Sequence, residues 1–231
     1  MKHRVITLIG NELSETAAAR CIQSSNKVGN KFNIEIYEAV TPVMVGDIMR
    51  KYEIEWNYPW EGVEVDFSTG LQKSAYATRD PLRRISCAMS HYDLWERCVQ
   101  DNEPYMILEH DALWVNKIDL KLFDNNKFNI IGLNDPIGAT RKAHDLKEAI
   151  IKKDGDIIPV PTIDDLKIPQ GLAGNSAYII KPAGAKHVIK AVKEYGLWPN
   201  DAIMCKQLIP RMGVTRKFYT RVQGTVSTTV N

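Results

Sequence analysis

Tyr105-Met106-Ile107-Leu108-Glu109-His110-Asp111-Ala112 is the stretch on which the reading of this chain turns. Four consecutive apolar residues after Asn102-Glu103-Pro104 form a short buried strand, and that strand runs straight into two acids one residue apart. In open α/β sheets, ligands bind beyond the carboxyl ends of the strands. Two carboxylates placed there can face one hard cation. Mn²⁺ or Mg²⁺ prefers oxygen ligands and also bridges diphosphate oxygens, and it neutralises charge on a leaving nucleoside diphosphate. Glu109 and Asp111 are therefore the candidate metal ligands. A Glu-x-Asp triplet alone is equally the pattern of a solvated acidic turn, and its position after a buried strand is what favours a site. His110, between the acids, reads as a loop residue with a local hydrogen bond.

Working outward, Arg84 to Gln100 is the clearest helix. Ile85, Ala88, Met89, Tyr92, Trp95 and Val99 recur at three- and four-residue steps and give one apolar face. Ser90-His91 lies within it; His91 reads either as a satisfied helix histidine or as a group leaning toward the acidic strand end. Upstream, Val5–Ile9 is a strand, Ser14 can cap a helix through Ile22, and Phe32–Ala39 is a second strand, so the chain opens β-α-β. Downstream, Phe128–Leu133 and Ala177–Ile180 are strands. Pro182 opens a helix that stops at Gly196, Asn200 can cap a helix through Leu208, and Thr215–Tyr219 is a last strand. Two segments are irregular, about 56–80 and 135–172. The first is rich in aromatics (Trp56, Tyr58, Trp60, Phe67, Tyr76), which either stack on a sugar or base or pack down as a small core. The second has one short helix near Ala143–Lys152. The tail from Gln223 to Thr229 is small and polar.

Length and composition set the bounds. The 231 residues fit a single α/β domain spanning 1–231. A net charge of +2 makes no electrostatic demand for a nucleic-acid partner. Basic residues do gather at Arg79, Arg83 and Arg84 and again at Arg211, Arg216, Lys217 and Arg221, and both groups could rim a phosphate site. The four cysteines, Cys21, Cys87, Cys98 and Cys205, include no C-x-x-C pair, the pattern of reduced core cysteines in a cytosolic protein. No segment approaches the roughly 20 apolar residues that cross a bilayer, and a cytoplasmic location is expected.

The stretch Arg84-Ile85-Ser86-Cys87-Ala88-Met89-Ser90-His91-Tyr92-Asp93-Leu94-Trp95, followed by Glu103-Pro104 and the strand ending Glu109-His110-Asp111-Ala112, resembles glycosyltransferase family 25, the family of lipopolysaccharide-type sugar transferases and collagen galactosyltransferases. Its pattern runs G-E-x-G-C-x-x-S-H, a helix to W, a proline turn, then I-L-E-D-D-A. Ala177-Tyr178-Ile179-Ile180-Lys181-Pro182-Ala183-Gly184-Ala185-Lys186 resembles the family's A-Y-L-I-S-P-x-G-A-K, and Pro199-Asn200-Asp201 its P-x-D. Arg83 and Arg84 stand in place of Gly-Glu, Ser86 in place of the second Gly, and His110 in place of the middle acid. The resemblance implies a GT-A-like fold, a Rossmann-type, mostly parallel sheet flanked by helices. It also implies a UDP-sugar type donor and inversion at the anomeric carbon. It puts Arg20, Arg84, Ser90, His91 and Glu109 on the donor side. It makes Asp201 the candidate base for the acceptor hydroxyl, although a first-turn helix acid is also favoured simply by the helix dipole.

The expected activity is thus transfer of a sugar from a nucleotide-sugar donor to a saccharide acceptor. A modified base of DNA is a second possible acceptor. The rivals are a non-catalytic nucleotide- or sugar-binding module whose metal motif has decayed through His110, and a nucleotidyltransferase on a similar fold.

Overall fold

The computed structural model describes residues 1–124 and 126–224. The chain begins β1 (Lys2–Thr7), α1 (Glu12–Lys27), β2 (Glu35–Glu38) and α2 (Val45–Tyr52). A hairpin of β3 (Val63–Val65) and β4 (Gln72–Ser74) precedes α3 (Pro81–Gln100), β5 (Tyr105–Glu109), β6 (Ala112–Trp114) and β7 (Ile130–Gly132). Then come α4 (Ala143–Ile151), β8 (Ile157–Pro159), β9 (Ala177–Ile180), α5 (Pro182–Tyr195), α6 (Asn200–Ile203), β10 (Met212–Thr215) and β11 (Thr220–Val222).

One sheet takes the order β2-β1-β5-β9-β7-β10-β8. β1 is parallel to β2 and β5, and β10 is parallel to β7. β9 runs against both β5 and β7, and β8 against β10. All strands but β9 and β8 therefore point the same way, the mostly parallel α/β sheet expected from the sequence.

The period-two alternation of the central strands sorts their side chains between two cores. Tyr105 and Ile107 of β5, Tyr178 and Ile180 of β9 and Ile130 of β7 join the core built on α3 and α5. Met106, Leu108, Ala177, Ile179 and Ile131 face the opposite core with Ala18 and Cys21 of α1. The same alternation carries Glu109 onto the α3 face. α3 itself starts at Pro81, with the Asp80 side chain accepting from the Leu82 N–H, and buries Met89, Tyr92, Leu94 and Trp95 completely. Each such side chain contributes about 1.5–3 kcal/mol, so packing, rather than the cap, fixes the helix in place.

Several elements differ from the sequence expectation. α1 is capped by Asn11, with Ser14 buried one turn in and its hydroxyl accepting from the Leu8 N–H. The second strand shortens to Glu35–Glu38, an edge strand whose buried side chain is Tyr37 while Ile36 faces outward. Phe32 and Ile34 pack into the α1-side core, whereas Ile36, beside Val5 on the edge strand, is left uncovered. The helix expected from Asn200 to Leu208 ends at Ile203, because the chain turns to hydrogen-bond Lys206 to Gln170. Of the expected Thr215–Tyr219 strand only Thr215 is extended in the sheet, at the end of β10; residues 216–219 bend away and β11 begins at Thr220. β8, inside the segment expected to be irregular, adds a three-residue last strand to the sheet. Residues 225–229 of the polar tail lie outside the described residues. No helix among the described residues is long and apolar enough to cross a membrane.

Candidate active site

β9 runs antiparallel beside β5, with Ala177 opposite Leu108 and the Glu109 N–H donating to the Ser176 carbonyl at 2.8 Å. The start of β9 therefore lies next to the acidic end of β5. A cleft of about 710 Å³ opens there. Ile6, Leu8, Ala39, Val40 and Pro42 give it an apolar wall beyond β1 and β2. The first turn of α3, the Glu109–Asp111 turn, Asn175-Ser176 and Asn200-Asp201 supply its polar wall.

Glu109 is gripped from behind. Its Oε1 lies 3.1 Å from His91 Nε2, His91 Nδ1 lies 2.8 Å from Tyr178 Oη, and the Trp95 indole N–H donates to the same oxygen at 2.8 Å. Tyr178 has one proton to give, and it accepts from Trp95. The fully satisfied arrangement has the tyrosine O–H donating to Nδ1 and the His91 Nε2–H donating to Glu109, which assigns the tautomer. His91 is wholly buried, while the Glu109 side chain keeps 28% of its surface open to the cleft. Burial pushes the Glu109 carboxyl up, but His91, His110 and the Asn200 amide outweigh it and hold it below the usual range. Asp111 goes the other way: burial and the neighbouring Glu109 charge push it up to about 7. Its Oδ1 is buried with no hydrogen-bond partner among the described residues.

These groups fit a divalent cation. The donors are hard carboxylate oxygens, one of them unpartnered, on a carboxyl that resists ionising until a positive charge arrives. A second grouping, Cys87, His91 and Glu109, has ligand atoms within 4.8 Å of one another. It reads as a brace for Glu109: both His91 nitrogens are already bonded, and burial holds the Cys87 thiol far above its usual range, whereas a metal needs the thiolate.

The other expected residues divide. Arg84 lines the cleft; its guanidinium lies over Tyr76 at 5.1 Å, and its Nε is buried without a partner among the described residues. Asp201 lines it too; the residue is exposed overall, while desolvation raises its carboxyl and the Tyr76 hydroxyl and Arg84 pull it back. Ser90 borders the cleft, but its hydroxyl donates to Ser86 O and accepts from the Val40 N–H, so it fixes the apolar wall. His91 borders the cleft, wholly buried and with both ring nitrogens bonded, so its position is that of a support for Glu109. Arg20 is exposed on α1 and is not among the cleft residues. Neither are Arg211, Arg216, Lys217 and Arg221; among the described residues the arginines at the cleft are Arg83 and Arg84 of α3. Most of the aromatic segment packs as a small core, with Trp56 stacked on Trp60 at 4.9 Å and Tyr58 against Trp198; Tyr76 is the member that reaches Asp201. Asn175, Ser176 and Tyr178 were missed as site residues. The available signal was a Gly-Asn-Ser turn placed directly before a buried strand.

This cleft sits in a chain whose residues 24–204 match the family model described as glycosyltransferase family 25 (LPS biosynthesis protein). The chain belongs to that family. It is a glycosyltransferase, and its mixed, mostly parallel sheet flanked by helices is the α/β architecture expected above. No curated protein matches the sequence. Among solved structures, the galactosyltransferase LgtC in complex with donor and acceptor sugar analogues is 12% identical with a TM-score of 0.42, covering 93% of this chain and 73% of its own. Mouse xyloside xylosyltransferase 1 in its apo form is 10% identical with a TM-score of 0.41, covering 88% and 80%.

Proposed function

We propose that the chain moves a sugar from a nucleotide-sugar donor of the UDP-sugar type to a hydroxyl acceptor, most simply a saccharide, with inversion and with help from Mn²⁺ or Mg²⁺. The observation that carries the reading is the buried, unpartnered Asp111 Oδ1 beside Glu109 at the mouth of β5. A bound cation would supply neutralisation of the charge on the departing diphosphate. Asp111 and Glu109 would hold it, and the His91 chain keeps Glu109 from turning away. The apolar wall of Ile6, Ala39 and Val40 suits the flat face of a nucleoside. Arg84 supplies a fixed positive charge on the same cleft.

Asp201 serves as base. The residue is exposed at the cleft, yet local desolvation raises its carboxyl, which makes the ionised form a stronger proton acceptor than an ordinary aspartate. As the acceptor oxygen bonds to the anomeric carbon, the bond from that carbon to the diphosphate oxygen breaks, and the acceptor proton passes to Asp201. Nothing in the cleft or the family favours a modified DNA base as acceptor, and the reading is confined to saccharide and other hydroxyl acceptors.

The test is turnover of UDP-sugars with Mn²⁺ and a saccharide mixture, with the product anomer read by NMR. Release of UDP with an inverted linkage is expected. Asp201→Asn should lower kcat by about 100-fold or more while leaving donor affinity in place. A retained configuration, or an Asp201→Asn enzyme of full activity, would remove Asp201 from this role.

A further inference from the structure

Resting on the donor reading above, we propose that Asn175 and Ser176 form the subsite that reads ring hydroxyls of the transferred sugar. Asn175 is 5% exposed and Ser176 3%. Yet Asn175 Oδ1, Asn175 Nδ2 and Ser176 Oγ have no hydrogen-bond partner among the described residues, and both side chains line the cleft together with Asp111. Buried polar atoms are nearly always paired. A cluster of unpaired ones at the wall of a cleft is the signature of groups held ready for a ligand.

The turn that presents them is built for the purpose. Gly174 sits at φ +77°, and a Cβ there would come within 2.7 Å of the Ala139 side chain. Glycine thus lets the turn press against the 134–139 loop. The Asn134 amide ties that loop to the Ala173 carbonyl at 3.3 Å. The neighbouring walls, Gly138 and Ala139, offer no side-chain polar atom that could satisfy Asn175 from within.

The pattern of unpaired atoms selects the ligand chemistry. Asn175 offers an acceptor and two donors, and Ser176 a donor and an acceptor. A phosphate would satisfy only the donors, and a bare cation only the acceptors. Adjacent hydroxyls on a sugar ring satisfy both. Position agrees: in the sheet order β2-β1-β5-β9, the acidic end of β5 lies between the apolar wall beyond β1 and the start of β9. With the nucleoside on the first side and the diphosphate at the acids, the sugar falls on the β9 side.

The experiment is calorimetric titration of the full chain, with Mn²⁺, by UDP-galactose, UDP-glucose, UDP-N-acetylglucosamine and UDP. Asn175→Ala and Ser176→Ala are compared with wild type, and acceptor KM is measured alongside. Asn175→Ala should weaken the preferred UDP-sugar roughly 10- to 100-fold, leave UDP binding unchanged and blunt discrimination between galactose and glucose. Ser176→Ala should act in the same direction and melt no lower than wild type, since its hydroxyl is unbonded in the fold. Equal losses for UDP and UDP-sugar, or a melting point several degrees lower for Ser176→Ala, would overturn the proposal. A rise in acceptor KM with donor affinity intact would assign the hydroxyls to the acceptor instead, overturning the donor assignment. Failure of wild type to bind any of the four ligands would defeat the donor reading itself, and this subsite with it.

Discussion

Tyr178 never touches the cleft, yet its single hydroxyl decides where Glu109 points. Replacing it by phenylalanine keeps the ring and strands two partners, the Trp95 indole N–H and His91 Nδ1. A buried unsatisfied group costs about 1–3 kcal/mol, so Tyr178→Phe should lower the melting temperature. It should also reduce kcat/KM roughly 10-fold, the usual scale for losing a group that orients a ligand carboxylate. Unchanged values in both would show that Glu109 needs no such support. Asp111 predicts the opposite for stability. Its carboxyl is raised from 3.8 to about 7 in the fold, so the folded state holds its proton longer than the unfolded chain does. Stability from this group is full below pH 3.8 and is lost as pH rises through 7. Asp111→Asn should therefore melt higher than metal-free wild type at pH 8, with the gap narrowing as pH falls from 7 toward 4, while activity is lost. Glu109 and Asp111 were legible in the sequence because an apolar strand ending in acids is a local pattern. The support from Tyr178 was not, because it depends on β9 lying beside β5 with both side chains on the α3 face, a long-range pairing that no local spacing encodes.

At the level of elements, α3 brings the basic end of the cleft into place. Its first turn contains Arg83 and Arg84 and no acid, an unfavourable charge for a helix N-terminus. The Asp80 cap and Pro81 offset it. Asp80→Ala should cost about 1 kcal/mol and, by loosening Arg84, weaken donor binding. Chemical denaturation and donor titration check the two effects, and a neutral result in both would place the helix start under the control of packing alone. The helix body was readable from its 3.6-residue apolar rhythm. Its start was read three residues late because Asp80-Pro81 precedes the first core residue by a full turn. α6 was overextended for a related reason: Asn200 resembles a cap, but its buried side chain faces Cys87 and Glu109 in the site, and Pro199 occupies the capping position.

For the whole molecule, the reversed strand β9 matters most, since it brings the Gly-Asn-Ser turn beside the β5 acids in a sheet whose other strands, edge strand β8 apart, run parallel. Its apolar run Ala177–Ile180 was plain in the sequence, but its direction was not. The far end of β1 carries a separate consequence. His3 stacks on Phe32 at 4.3 Å with its Nε2 buried and unpartnered among the described residues. Burial first, then the nearby N-terminal amine and Arg4, lowers its pKa from 6.5 to about 4. The unfolded chain therefore takes up a proton below pH 6.5 while the folded protein does not. Stability falls between pH 6.5 and 4, by about 3 kcal/mol in all. Melting curves across that range should show the decline, and His3→Phe should flatten it; an identical slope in the variant would place the acid sensitivity elsewhere.

The account stands on a cation held between the strand-end acids and the donor diphosphate. Its most direct test is the affinity for UDP titrated with and without Mn²⁺, in wild type and in Asp111→Asn. Tightening of about 10-fold or more by Mn²⁺ in wild type, absent from Asp111→Asn, is the predicted result. Equal UDP affinity with Mn²⁺ and with EDTA in wild type, or an unaltered Mn²⁺ effect in the variant, would contradict it.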